Sequence, residues 1–499
     1  MSEGNQYAAI DLGSSSFHMV VARVDQGGVH VMDRLRERVG LAAGMDADQN
    51  LDADTRKRAL DCLLKFGERL AELPTTATRA VGTNTLRRAK NAREFLPKFE
   101  EALGHSIELV SGQEEARLVY LGVARSVPEY PQRRLVVDIG GSSTELIVGQ
   151  GNRPIERDSV QMGHLRWSIK FFQDGFTKQA FEDAHTRARI ELGGIKRRYR
   201  ALGWEAVYGS SGTIKSIEAI TREAGWAQSG ITLDALNSLK AEILSAGDVA
   251  SLRARNLAGL SHDRAVSIAG GGAILRAVFE TFHIEEMVAS QGALREGVLH
   301  DLLGRLHHED ARDLTIASFQ QRYSVDREHA ARVERTALSL FHQVCDAWSI
   351  DRLDGQRFVS WACLLHEVGL SVNHSGYHKH GAYLLRHADM PGFSRADQAL
   401  LASAVGNHRR KLHLDRVSEH IGPSQLQLAL QFTVLLRLAV RLHRTRSSRS
   451  QPPIAMSAKG NDLVLRFPVG WLAEHPLKHA DLVDEASLLP AVGFSLNIV

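Results

Sequence analysis

Ile10-Asp11-Leu12-Gly13-Ser14-Ser15-Ser16 recurs, a domain's length further along the chain, as Val137-Asp138-Ile139-Gly140-Gly141-Ser142-Ser143. Each copy is an apolar run that ends beside a carboxylate, turns through Gly and Ser, and enters a second apolar run: residues 7–12 into 17–24, and 135–139 into 145–148. Short apolar runs joined by Gly/Ser predict strand, turn and strand. One such Asp-x-Gly-Ser would be an ordinary tight turn. Two at domain spacing predict a pair of related domains rather than a solenoid, whose repeats run to about 50 residues.

The loops have a definite chemistry. Glycine lets backbone approach a ligand, successive turn N–H groups form an anion-binding concavity, and serine hydroxyls add donors without bulk. A carboxylate beside a phosphate-sized hollow repels its ligand unless a divalent cation lies between them, and Mg²⁺ is usually held by one or two carboxylates plus phosphate oxygens. Neither loop carries the lysine of a Walker loop. Two further glycine stretches fit the pattern. Tyr208-Gly209-Ser210-Ser211-Gly212-Thr213 and Ala269-Gly270-Gly271-Gly272-Ala273 each precede an expected helix, over residues 214–224 and 274–282, where helix N-termini favour anions.

Around these loops, the first 300 residues alternate strand and helix signals. Residues 52–73 carry Leu60, Leu63, Phe66, Leu70 and Leu73 at amphipathic-helix spacing, 79–82 and 106–110 read as strands, and 114–123 as a helix. This alternation predicts an α/β architecture. Beyond about residue 305 long helical patterns dominate, as in 329–348, and eight of the 23 histidines fall between His366 and His420. A Ser/Arg/Pro stretch at 445–453 looks like a boundary, and 463–471 restarts a strand pattern. The expected domains are therefore 1–125, 126–305, 306–448 and 449–499.

The 499 residues are 43% hydrophobic and 24% charged with a net charge of +3, which excludes disordered and fibrous classes and an electrostatic nucleic-acid coat. Cys62, Cys345 and Cys363 are too few and too scattered for a disulfide framework or a Cys-rich zinc site. The start lacks a basic n-region and a long apolar run, so no signal peptide is expected. No stretch reaches the roughly 18 apolar residues of a spanning helix; Leu426–Leu442 is interrupted by Gln427, Gln431, Arg437 and Arg441. A cytoplasmic protein is expected, with peripheral membrane association also allowed.

Taken together, DLGSSSFHMVVARV, GTNTLRRA, SGQEEARLVYLGV, DIGGSSTEL, GSSGTIK and GALREGVL resemble the exopolyphosphatase / guanosine-pentaphosphate phosphatase family of the actin-like phosphotransferase superfamily. WACLLHEVGLSVNHSGYHKHGAYLL and FPVGWLAEHPL are similar to the helical and C-terminal domains of its long bacterial members, closest to exopolyphosphatases. The resemblance implies two actin-like (ribonuclease-H-like) α/β domains, an all-α HD-like domain and a small C-terminal α+β domain. It also implies hydrolysis of the terminal phosphate of inorganic polyphosphate, with guanosine pentaphosphate as the alternative or second substrate. Mg²⁺ as cofactor, K⁺ as a candidate activator and a homodimer follow from the same likeness. The rivals from other classes are an actin-like ATPase or sugar kinase and a non-catalytic nucleotide sensor.

Residue roles follow from both lines. Ser111 followed by Glu114 forms a capping-box pattern that occupies Glu114 and leaves Glu115 free; the family's catalytic glutamate aligns with Glu115, the expected general base. By resemblance Asp138, Glu145 and Asp11 hold Mg²⁺, and Arg87 grips phosphate, as a guanidinium fork can. The expected phosphate cradle comprises Gly13, Ser14, Ser15, Ser16, Gly140, Gly141, Ser142, Ser143, Thr144, Ser211, Gly212 and Thr213. In the helical region His366-Glu367 resembles a metal-dependent phosphohydrolase pair, with His329, His380 and His408 as further candidates. Glu367 stands where that superfamily has Asp, and Val440 where it has a carboxylate ligand, so a scaffold without bound metal is expected. His408, Arg409, Arg410, Lys411, Arg437, Arg441 and Arg444, extended by Arg446 and Arg449, form the expected polyphosphate lane, since no Asp or Glu occurs from 437 to 461.

Overall fold

The apolar run before the first Gly/Ser turn is buried on both faces. Ala8, Ala9, Ile10 and Leu12 are all solvent-excluded, as expected for a central strand covered by layers on either side. The computed structural model describes residues 5–25, 28–127, 133–306, 310–422, 425–447 and 451–499. Two compact units result, Met1–Asp310 and Ala311–Val499.

The first unit contains two mixed sheets. One is built from β1 (Asn5–Leu12), β2 (Phe17–Asp25), β3 (Gly28–Glu37), β4 (Thr78–Gly82) and β5 (Ile107–Leu109), in the order β3-β2-β1-β4-β5. The other comprises β6 (Arg133–Ile139), β7 (Thr144–Gln150), β8 (Arg153–Val160), β9 (Ala206–Ser210), β10 (Ile231–Thr232) and β11 (Glu286–Ala289), ordered β10-β11-β9-β6-β7-β8. In each, a three-stranded antiparallel meander is extended by parallel strands on the side of its first member. The sequence repeat is thus a repeat of topology, with β10 added at one edge. This agrees with the α/β, actin-like reading. The meander's third strands, β3 and β8, were not anticipated. Their described residues are exposed or half-buried and include charged ones, so apolar runs alone did not mark them.

Each sheet has its own apolar core, and a third core lies between the sheets. The helices Gly112–Ala124 and Leu294–Leu306 contribute Leu118, Tyr120, Val298 and Leu299 to it, against Ala9, Val136 and Ile147 of the strands. The first of these helices begins at Ser111, whose hydroxyl accepts the Glu114 amide at 3.1 Å. The Glu114 carboxylate turns to Arg117, with two bonds of 2.8 Å, so only the serine half of the expected capping box describes this terminus.

A second expectation needs correction. Gly270-Gly271-Gly272 is not a loop before a helix but lies within the helix Ile268–Phe282. A Cβ on Gly270 would press on the His164 carbonyl and on Ser168, so these glycines bring two helices together rather than line a phosphate hollow.

The second unit is helical, closed by a small sheet of β12 (Ala455–Lys459), β13 (Asp462–Arg466) and β14 (Ser495–Ile498) in that order. One apolar core runs through the helices into this sheet, from Ile316 and Phe341 to Leu465 and Phe494. The Trp348 indole donates to the Gly460 carbonyl at 2.9 Å. The tail expected as a separate domain therefore shares its core with the helices. None of the helices searched among the described residues is long and apolar enough to cross a membrane.

Candidate active site

Both Gly/Ser turns are tight for the same steric reason. A Cβ on Gly13 would lie 2.9 Å from the Ser16 carbonyl oxygen, and one on Gly140 would lie 3.1 Å from that of Ser143; only glycine relieves this crowding. The turns converge. The Thr85 hydroxyl, on the helix Asn84–Arg88, lies 2.7 Å from the Ser14 hydroxyl and 3.3 Å from that of Ser142. A Cβ on Gly141 would come within 3.2 Å of the Ser14 Cβ. The two hairpins thus share one cavity of about 350 Å³.

Of the expected cradle, Gly13, Ser14, Ser15, Ser16, Gly140, Gly141, Ser143, Ser211, Gly212 and Thr213 line this cavity, together with Asp11, Asp138, Glu145 and Glu115. Three expected contacts are placed otherwise. Ser142 is buried against Thr85, and the Thr144 hydroxyl donates to the Met162 carbonyl at 2.6 Å, inside the domain. Arg87 is not among the lining residues: its guanidinium donates to the Val110 carbonyl and stands 3.8 Å from the Glu115 carboxylate. Its observed contacts are with the Val110 carbonyl and the expected base.

Strand register explains the carboxylates. Asp138 on β6 pairs directly with Glu145 on β7, as the hairpin reading anticipated. The same register in the first hairpin pairs Asp11 with His18. That correspondence is visible in the repeat itself and would have found His18, which also lines the cavity. Ser211, in the same wall, has φ +85°, a left-handed conformation costly for a residue with a Cβ and typical of constrained functional loops.

Burial sets the electrostatics. Asp11 is pushed up to about 7 by desolvation, opposed by Arg295 and assisted by Asp138. Asp138 rises to about 6 by burial, against the Ser210 hydrogen bond and the charges of Lys215 and Arg295. Glu115 is raised to about 8 by burial, with Arg87 opposing and Asp11 and Asp138 adding. Glu145 is also raised by burial and by Glu115, although it accepts from Ser159 at 2.7 Å. Asp11 Oδ1 and Glu115 Oε2 are buried without a hydrogen-bond partner. Facing carboxylates kept dry in this way favour their protonated forms unless a positive charge lies between them.

The same cavity is also lined by cations that sequence reasoning missed: Arg34, Arg36, Lys215, Arg264 and Arg295. Arg264 occupies the space left by the absent side chain of Gly212 and donates to Thr213 at 3.3 Å. Burial, with Arg36 and Arg38, depresses it to about 10. Lys215 and Arg295 sit within the GSSGTIK and GALREGVL stretches, whereas Arg34, Arg36 and Arg264 carry no local motif, and only folding assembles the five. Carboxylates with basic side chains around a hollow of backbone N–H and hydroxyl groups suit a cation-bridged phosphate chain.

The second unit rearranges the remaining expectations. His329, His366 and Glu367 bring ligand-type atoms within 4.8 Å of one another, all buried. The His408 ring lies 5.5 Å from that of His366. The Arg446 guanidinium is bonded to Glu367 and to Asp326, which supplies positive charge where a metal would. His380 is not in this cluster. The lane does not form as a solvent-facing strip. Arg437 is solvent-excluded and bonded to Glu485, and His408 is buried with Nδ1 on the Val405 carbonyl. Arg441 and Arg444 are neutralised by Glu485 and Asp481 on the helix Pro476–Leu488. The acids absent from 437–461 arrive from further along the chain. Arg409 stacks over Tyr377 at 4.6 Å, Arg410 and Lys411 are exposed, and Arg449 lies outside the described residues.

Comparison with known proteins matches this architecture. Residues 20–306 match the Ppx/GppA phosphatase family and residues 311–486 match Ppx/GppA phosphatase, domain III. The guanosine-5'-triphosphate,3'-diphosphate pyrophosphatase of Aeromonas hydrophila is 38% identical over 495 residues, covering 99% of this chain and 98% of that protein. The protein of the same name from Photobacterium profundum is 36% identical, covering 98% and 97%. Among solved structures, an exopolyphosphatase from Cytophaga hutchinsonii superposes with a TM-score of 0.54 at 22% identity, covering 60% of this chain and 98% of that one, a likeness of fold. A Ppx/GppA enzyme from Aquifex aeolicus gives 0.50 at 25% identity, covering 59% and 98%. With the paired hairpins, the shared cavity and these matches along nearly its whole length, the chain belongs to the Ppx/GppA phosphatase family, enzymes that hydrolyse phosphoanhydride bonds.

Proposed function

We propose that this protein removes the terminal 5'-phosphate of guanosine pentaphosphate, a guanosine 5'-triphosphate 3'-diphosphate, releasing orthophosphate. The observation that carries this reading is the near-complete, 38% identical match to a protein named for that substrate. It reverses the order expected from sequence motifs, which placed polyphosphate first. The lane supporting polyphosphate has lost Arg437 and His408 to the interior.

In the proposed reaction, water held against Glu115 attacks the terminal phosphorus. The new O–P bond forms as the bridging P–O bond to the next phosphate breaks, and the leaving nucleotide keeps that electron pair. Glu115 accepts the water's proton, with Arg87 at 3.8 Å orienting its carboxylate. The N–H groups and hydroxyls of the two turns hold the equatorial oxygens, so catalysis is largely positioning and charge stabilisation. Lys215, Arg264 and Arg295 offer sites for the remaining phosphates. The all-oxygen donors Asp11, Asp138 and Glu145, with Asp11 Oδ1 unpartnered, fit Mg²⁺. Bound there, the ion would neutralise phosphate charge. Among the described residues no three cavity carboxylates lie within 4.8 Å of one another, which suits an ion completed by substrate oxygens.

Purified protein incubated with Mg²⁺ and guanosine pentaphosphate, long-chain polyphosphate or ATP is expected to release orthophosphate fastest from the first. Higher kcat/KM on polyphosphate would restore the exopolyphosphatase reading, and turnover of ATP alone would favour a motor or kinase.

The carboxylates also predict a pH dependence of stability. Their folded values of about 7, 6 and 8 lie above the roughly 4 of an unfolded chain. The folded state therefore holds more protons between pH 4 and 8, and metal-free stability falls as pH rises through that window. Thermal melts in a chelator should show this fall, with Mg²⁺ raising the Tm more at pH 8 than at pH 5. A Mg²⁺ shift that does not grow with pH would detach these carboxylates from the ion.

A further inference from the structure

The second unit contains a cavity of about 290 Å³ that the reaction above does not use. One wall is the helix Arg327–Val344, which presents Arg332, Arg335, Thr336 and Ser339 to it. The opposite side is His443, just past the helix Leu426–Leu442, with Gln451 to Ile454. Among the described residues no Asp or Glu lines it.

Its walls are held in place. Gln451 donates to the Leu442 carbonyl at 3.0 Å and accepts from Lys478 at 2.9 Å. Gln343 donates to the Ile454 carbonyl at 3.1 Å and accepts the Met456 amide at 2.8 Å. Two polar atoms of the lining residues remain unsatisfied. His443 is 4% exposed; its Nε2 meets the Thr336 hydroxyl at 2.8 Å, while its Nδ1 is buried without a partner. Arg332 Nε is likewise buried and unpartnered, while its terminal nitrogens reach the Arg446 carbonyl at 3.4 Å and the exposed Glu328 carboxylate at 4.0 Å. Arg332 Nε is a donor in every state, and in the tautomer where the Thr336 hydroxyl donates to Nε2 the ring proton sits on Nδ1 and makes that atom a donor as well. Arg335 is exposed and adds a further guanidinium at the rim. Buried donors without acceptors are costly and rare in folded proteins. Here they line a hollow rich in positive charge, which an oxyanion would satisfy with charge-assisted hydrogen bonds.

We propose that this hollow is an anion site for a phosphate group, orthophosphate or pyrophosphate, separate from the hydrolytic cavity of the first unit. The volume of about 290 Å³ falls just below the roughly 300–1,000 Å³ of small-molecule sites, a size for one or two phosphates rather than a whole nucleotide.

Site-resolved chemical protection tests this on the full chain. Exposed Arg335 should react with phenylglyoxal, with modification measured on its peptide by mass spectrometry. Orthophosphate or pyrophosphate should slow that modification at least about fivefold, as expected when charge-assisted bonds occupy the guanidinium, while sodium chloride at equal ionic strength should not. A lower midpoint for pyrophosphate would identify a two-phosphate site, and a lower one for orthophosphate a single-phosphate site. Ser339→Glu places a carboxylate at an exposed rim position and should abolish protection. His443→Gln should move the midpoint upward by about tenfold, the loss of one charge-assisted bond. No protection by either phosphate, equal protection by chloride, or protection unchanged in Ser339→Glu would overturn the proposal.

Discussion

Glu115→Gln is expected to lower turnover of guanosine pentaphosphate by about 10²–10⁴-fold, the usual contribution of a positioned general base. Its melting temperature at pH 8 should be unchanged or slightly higher. Glutamine fills the same space, and the carboxylate it replaces is buried and raised to about 8 by desolvation. Removing a group that resists ionisation costs the fold nothing at alkaline pH. Orthophosphate release measures the first quantity and a thermal melt the second. Glu114→Gln is the matched control. Its carboxylate is bonded to Arg117 rather than aimed at the cavity, so it should lose stability before activity. Near-normal turnover in Glu115→Gln together with loss in Glu114→Gln would transfer the base to Glu114.

Asp301→Ala should produce the largest loss of stability, about 3–5 kcal/mol, because it leaves buried guanidinium groups without their counter-charge. Asp301, on the helix Leu294–Leu306, accepts from Arg79 of β4 at 2.6 Å, from Arg305 at 3.0 Å and from Arg117. Burial alone would raise its pKa, but these arginines hold it below the ordinary carboxylate range. Arg117 in turn grips Glu114, one residue before the expected base. The network therefore ties the helix bearing Glu115 to the first sheet. Urea denaturation should show the loss as a lower midpoint, and activity at low temperature should fall less than in Glu115→Gln. A variant within about 0.5 kcal/mol of the parent, the range of ordinary surface changes, would mean that Asp301 holds nothing together.

Much of this molecule was legible along the chain. Ile10 to Ser16 and Val137 to Ser143 announced two related α/β halves because a buried strand needs an apolar run and a tight turn needs glycine, both local requirements. The pairing of Asp138 with Glu145 was equally local, since a hairpin's register follows from its turn. Glu115 was singled out as the expected base through the N-cap at Ser111 and a family likeness, although Glu114 bonds to Arg117 instead of completing the expected box.

Other features depended on segments far apart in sequence. Gly270 to Gly272 read as a phosphate loop but lie inside a helix, where Gly270 serves a close contact with His164 and Ser168 that no neighbour in the chain reveals. Arg437, Arg441 and Arg444 looked like a bare basic stripe by helical spacing; Asp481 and Glu485 neutralise it from another helix. Arg264 carried no motif, yet it lines the cavity shared by the two hairpins. Periodicity and turn chemistry, which act between near neighbours, thus determined the strands, the hairpins and their repetition. Only the tertiary structure decided which charges are buried, paired or left facing the cavity, because a charge's free energy depends on the solvent it loses and the partners it gains, and distant segments supply both.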